Sequence, residues 1–221
     1  MKEKAGLYPW FLSAAVVLCS IGTPAGASIL FTNLNANPAS TYNCCTSYTI
    51  EGASTSQYFA QGFTFTPSAT EGLSQVDIAL QLFGGTDSVI VTLNSDNGGL
   101  PDGVLETWNV SGLPGPATCC TLQNLVPVTP ITLSLGTLYW LVATPGADDT
   151  FAGWNVNNTG STGPRAVQQS PGGAFTLFGA NDARGAFDVI GAGPTAAVPE
   201  PATLALLGVG LAGLGFSRRK R

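Results

Sequence analysis

Four groups of side chains in this 221-residue sequence have the types and spacing to do chemistry. The first is two vicinal cysteine pairs, Cys44-Cys45 and Cys119-Cys120, each followed by Thr. In an oxidising compartment an even set reads as two disulfides, and four cysteines allow three pairings. Two of these join Cys44-Cys45 to Cys119-Cys120; the third makes two vicinal bridges. Joining the pairs closes a loop of about 75 residues, a constraint of roughly 4–5 kcal/mol in the chain-entropy account. Successive strand side chains point to opposite faces, so two parallel cross-links need irregular backbone, for which Pro38, Asn43, Pro114 and Pro116 lie nearby. A zinc centre held by all four cysteines is the rival. Zinc favours two intervening residues, which let both sulfurs converge, so the expectation stays with disulfides.

The second group is the loop Asn94 to Asp102, where Asn94, Asp96, Asn97 and Asp102 bring oxygen donors and Gly98 and Gly99 allow tight turning. Calcium takes about six to eight oxygens, which makes Asn94, Asp96 and Asp102 the metal candidates. The loop lacks EF-hand spacing and a terminal Glu, and Asn-Gly between strands is first of all a hairpin turn. Asp148 and Asp149, ahead of Trp154, form the third group. A glycosidase needs two carboxyls set apart across a cleft, whereas adjacent acids after Pro145-Gly146-Ala147 read as a turn cap. The fourth group is aromatic: Trp108, Trp140, Trp154 and Tyr139 as a sugar-stacking platform. Trp108 and Trp140 lie in apolar alternation and read as core; Trp154, beside Asn155, Asn157 and Asn158, is the surface candidate. The chain has no His, which excludes a Ser-His-Asp triad, a Cys-His dyad and the common zinc sites. No catalytic residue and no cofactor follow from this inventory, and the expectation is a protein that is not an enzyme.

The elements that would position these groups are strands. Val76, Ile78, Leu80 and Leu82 alternate with Asp77, Ala79 and Gln81, and Val89, Val91 and Leu93 alternate with Ser88, Ile90 and Thr92. Phe59, Phe63 and Phe65 share a face, and so do Val104, Glu106, Trp108 and Val110. Ile131, Leu133 and Leu135 repeat the pattern, followed by Leu138, Trp140 and Val142, with later candidates at 151–156, 175–178 and 186–190. Period-two runs punctuated by Gly, Pro, Asn and Asp predict an all-β, antiparallel two-sheet sandwich of jelly-roll type.

Both ends read as addresses. Lys2 and Lys4, the apolar stretch Trp10 to Ile21 and Ala25-Gly26-Ala27 before Ser28 form a secretory signal helix with cleavage between Ala27 and Ser28. At the other end, Pro199-Glu200-Pro201 precedes the apolar run Ala202 to Phe216 and the basic tail Arg218-Arg219-Lys220-Arg221. That run spans only about 22 Å as a helix against a core of about 30 Å, and it carries four glycines. It would insert transiently in the inner membrane, its cations cytoplasmic. The domain plan is therefore 1–27 signal peptide, 28–197 sandwich and 198–221 tail. The central part holds eleven carboxylates against Arg165 and Arg184 alone, a net charge of −9. That argues against nucleic acid and suits neutral polymers or divalent cations.

The order Pro-Glu-Pro, glycine-rich apolar helix and arginine cluster resembles the PEP-CTERM protein-sorting signal of Gram-negative bacteria. The resemblance implies an exosortase that reads Pro199, Glu200 and Pro201 and removes the tail, with sorting to the envelope or exopolysaccharide matrix. The strands Asp77 to Leu93 followed by Asn94-Ser95-Asp96-Asn97-Gly98-Gly99-Leu100-Pro101-Asp102-Gly103-Val104-Leu105 resemble the choice-of-anchor β-sandwich domains, type R. Those domains have no established catalytic residues, so the resemblance transfers none. The functional expectation is an exported, non-catalytic surface or matrix protein, handled by the Sec translocon and an exosortase and associated with exopolysaccharide or biofilm. The alternative is a calcium-assisted, lectin-like carbohydrate-binding module, and the third reading an extracellular glycosidase.

Overall fold

The computed structural model describes residues 26–55, 57, 59–116, 118 and 121–193. The expected signal helix, Cys119, Cys120, the Pro-Glu-Pro motif, the C-terminal helix and the basic tail lie outside these residues. The described chain is all-β and antiparallel, as the alternation predicts. Its strands are β1 (Ser28–Thr32), β2 (Asn43–Glu51), β3 (Ala60–Phe65), β4 (Glu71–Ile78), β5 (Leu80–Gly84), β6 (Val89–Asn97) and β7 (Leu100–Val110). They continue as β8 (Gln123–Leu125), β9 (Thr132–Leu133), β10 (Tyr139–Pro145), β11 (Phe151–Val156), β12 (Thr162–Gln168), β13 (Thr176–Ala183) and β14 (Phe187–Gly191).

One layer is a six-stranded sheet in the order β13-β12-β3-β10-β6-β7. Its central strand β3 is buried along its whole length and β10 from Tyr139 to Ala143, so both faces of each are covered. On β10, Tyr139, Leu141 and Ala143 join the main core, while Trp140 and Val142 belong to a separate cluster with Ala166, Leu100 and Phe175. Leu135, expected to share the apolar face of Leu133, is exposed, since β9 ends at Leu133 and Gly136 turns the chain away at φ 74°.

The opposing layer has β4 and β5 as its spine, separated only by Ala79. β14 and β11 lie end to end along one edge of this spine, pairing with β4 and β5 respectively. β1 adds beside β14 and β2 beside β11. At the junction Ala79 donates to the Ala186 carbonyl at 3.1 Å, and its own carbonyl accepts from the Asn155 amide at 2.9 Å. The five-stranded sheet built on β4 and the three-stranded sheet built on β5 thus run on into one splayed layer. Between the layers lies the main core, in which Phe63, Trp154 and Phe187 pack in tilted and edge-on contacts. This is a β-sandwich; the finer jelly-roll topology stays an expectation.

Trp154, expected at the surface, is fully buried. Its ring stands edge-on to Phe63 at 4.9 Å, and its Nε1 donates to the Ala186 carbonyl at 3.2 Å. Gly185 is needed beneath it, because a Cβ there would meet the indole at 2.5 Å. The neighbouring asparagines are buried too. Asn155 Nδ2 donates to the Asn43 carbonyl at 3.2 Å, and Asn157 Nδ2 donates to the carbonyls of Ser161 and Arg184, both at 2.8 Å.

On the outer face of this layer Asp77 and Asp188 stand directly opposite each other across β4 and β14. Burial pushes the Asp188 carboxyl above its ordinary range; a Thr32 hydrogen bond opposes this and the Asp77 charge adds to it. Its Oδ1 is buried without a hydrogen-bond partner among the described residues. A carboxyl raised in the folded state binds more protons folded than unfolded, so stability falls as pH rises from the ordinary Asp value through the raised one. Removing the like-charge pair with Asp188→Asn should stabilise the domain at neutral pH by about 0.5–1 kcal/mol and flatten that decline. Thermal melts across pH would check it; a less stable variant with an unchanged profile would contradict it.

Candidate functional site

The residues proposed from the sequence are used mostly for structure. The calcium candidates sit on the β6–β7 hairpin, whose turn is Gly98-Gly99 with both φ values positive, 64° and 85°. This is the backbone of a two-residue primed turn, which glycine adopts without a Cβ penalty. Asp96 spends one oxygen on Trp140 Nε1 at 2.7 Å and the other on the Gly99 amide at 3.3 Å. Asn94 is buried; its Nδ2 donates to the Asp102 carbonyl at 2.7 Å, and its Oδ1 accepts from Thr92 Oγ1 at 2.7 Å. These contacts hold the hairpin down over Trp140. Among the described residues no group of three or more His, Cys, Asp or Glu converges on a metal position.

Asp148 and Asp149 are exposed at a turn, and the Asp149 carboxyl is held low by a hydrogen bond from the Thr86 side chain. The partner expected nearby, Trp154, is buried in the core. Trp108, Trp140 and Tyr139 are buried as well, so no stacking platform forms from the four aromatics.

The cysteine expectation needs correction. Cys45 is a free, exposed thiol, so two bridges through both members of the first pair do not form. The reason is strand geometry: Cys44 and Cys45 are successive residues of β2 and point to opposite faces. Cys44, which is disulfide-bonded, packs against Tyr42, Ala79 and Ala186.

What the fold does assemble is a cleft of about 320 Å³ at the open side of the sandwich, where β2 of one layer approaches β12 and β13 of the other. Its floor is Arg165 on β12, only 8% exposed. The guanidinium lies between the Tyr48 ring, 4.5 Å to the centroid, and the Phe178 ring, 4.0 Å. Its Nε donates to Asp182 Oδ2 at 2.7 Å and its Nη1 to Gln61 Oε1 at 3.2 Å. Nη2 makes no hydrogen bond to the described residues. Gln61 is fixed in turn, its Nε2 donating to the Thr49 carbonyl at 2.8 Å. Tyr48 donates its hydroxyl to the Ala183 carbonyl at 2.7 Å. Burial raises the Tyr48 phenol above its ordinary value; Arg165 opposes that and Asp182 adds to it. Phe178 is 64% exposed on edge strand β13. Ser47, Thr49 and Gln169 complete a rim of neutral polar groups.

The chemistry available here is recognition. Aromatic faces offer apolar stacking, amides and hydroxyls offer neutral hydrogen bonds, and the Asp182 ion pair balances the one cation. Sequence reasoning passed over this site. The signal was slight: Arg165 is one of two bases in an acidic domain, and the other, Arg184, donates to Ser161 Oγ at 3.0 Å elsewhere in the fold.

Among solved structures the chain is similar to chitosan-binding module 1 from a chitosanase/glucanase of Paenibacillus sp. IK-5. The match is 13% identical over 60% of this chain and 92% of that one, with a TM-score of 0.28, too slight to bear on fold or ligand. No curated protein matches the sequence. Among the described residues no helix is long and apolar enough to cross a membrane. Residues 197–220 match the family model of the PEP-CTERM protein-sorting motif. That motif implies export and membrane-associated processing by an exosortase, and the chain carries it at its carboxyl end.

Proposed function

We propose that this is a non-catalytic surface or extracellular-matrix protein, delivered by an exosortase and associated with exopolysaccharide. The observation that carries the proposal is the sorting motif at 197–220, behind an acidic sandwich whose candidate site offers recognition groups. Replacing Pro199, Glu200 and Pro201 together with Ala should leave the full-length protein in the membrane fraction and deplete the envelope and matrix. Unchanged distribution would overturn the exosortase route.

The Arg165 cleft favours a second reading, a carbohydrate-binding module that needs no calcium. Its neutral rim, exposed Phe178 and charge-balanced arginine fit the hydroxyls and apolar faces of an uncharged sugar polymer better than a polyanion, which a net charge of −9 would repel.

The fold is further held, on this reading, by one bridge from Cys44 to the Cys119-Cys120 pair. Non-reducing peptide mapping should join those peptides, and alkylation without reduction should label Cys45. A Cys45-linked peptide or an unbridged Cys44 would contradict this.

A further inference from the structure

Both ends of the described domain leave from one corner, and a single carboxylate holds that corner together. β1 and β14 pair antiparallel with Ser28 opposite Gly191, so the first strand begins where the last one ends. Glu71, the first residue of β4, accepts hydrogen bonds at Oε2 from Ser28 Oγ and from the Gly193 amide, the latter at 3.1 Å. The Ala192 amide donates to the Gly72 carbonyl at 2.8 Å in the same place. Gly193 stands four positions before the sorting motif begins.

We propose that Glu71 is the receptor for the amino terminus created by signal-peptide removal. Hydrolysis of the Ala27–Ser28 bond adds water across it. Ala27 keeps a carboxylate on the released peptide, and Ser28 keeps an ammonium. That cation forms on the residue whose hydroxyl already lies on the Glu71 carboxylate, within the few ångströms over which opposite charges attract. The groups facing it from the neighbouring strands, Gly191 of β14 with Thr132 and Leu133 of β9, do not titrate. Removal of the leader therefore tightens the corner from which the sorting tail departs.

The proposal rests on the export reading, and its test fixes the amino terminus independently. The chain from Ser28 to Arg221, in detergent, is released from a leader by a protease that leaves Ser28 free. It is compared with the same chain carrying a short Gly-Ser extension, each also as Glu71→Gln. At about pH 7 the free-Ser28 protein should melt about 2 °C higher. The gap should close at about pH 10, above the α-amino value of about 7.7–8.0, and should be missing in Glu71→Gln. A hydrogen bond from the Ser28 hydroxyl alone would give no such pH profile. Equal melting of the two amino termini at pH 7, or a gap that survives both high pH and Glu71→Gln, overturns the proposal and leaves the export reading standing. Amino-terminal sequencing of the exported protein separates the two ideas: a start at Ser28 supports both, and another start contradicts the cleavage position on which this one depends.

Discussion

Trp154→Ala is expected to cost about 4 kcal/mol of stability and to lower the melting temperature by about 10 °C. The indole has no exposed surface and joins the two halves of the splayed layer through Ala186, while its ring contacts Phe63 and Phe187 in the main core. Truncation removes its buried area and leaves a cavity walled by β-strands that hydrogen-bond on both sides and so collapse poorly. Thermal and urea melts would measure the loss. A shift below about 2 °C would mean that the core is not organised around this ring.

Phe178→Ala should behave in the opposite way, with little change in melting and about tenfold weaker binding of a neutral polysaccharide, about 1.4 kcal/mol. The ring is largely exposed, so little core packing is lost, but it forms one wall of the Arg165 cleft at 4.0 Å from the guanidinium. Titration calorimetry with the organism's own polysaccharide would test this, run with calcium and with sodium at matched ionic strength. The expected result is the same affinity in both, because both oxygens of Asp96 are already engaged. Undiminished binding by Phe178→Ala would remove the cleft from the account. Binding that needs calcium and is lost in Asp102→Ala would move the site to the β6–β7 hairpin.

Much of the fold was legible because burial differs between the two faces of a strand. Val76, Ile78 and Leu80 alternate through the β4–β5 junction and all are buried, while Gln75 and Asp77 on either side of Val76 are only half-buried. Val89, Val91 and Leu93 likewise line the core face of β6. Burial is not legible where hydrogen bonding, rather than hydrophobicity, decides it. Asn155 and Asn157 made Trp154 look exposed, yet both asparagines are buried because they satisfy backbone groups at the splayed junction. Polar composition carries no mark of such partners. The cleft was illegible for a different reason. Tyr48, Gln61, Arg165 and Phe178 come from four strands in two layers, so only strand order and register bring them together. The cysteines were half legible: strand alternation argued against parallel bridges, and that argument outweighs the even count.

The central claim is that this protein is sorted and trimmed through its carboxyl-terminal motif. The most direct measurement is the intact mass of the protein recovered from the envelope and matrix. The account predicts a species that begins at Ser28 and lacks Arg218 to Arg221 with the apolar run before them. A mature pool that retains the full tail to Arg221 would contradict it.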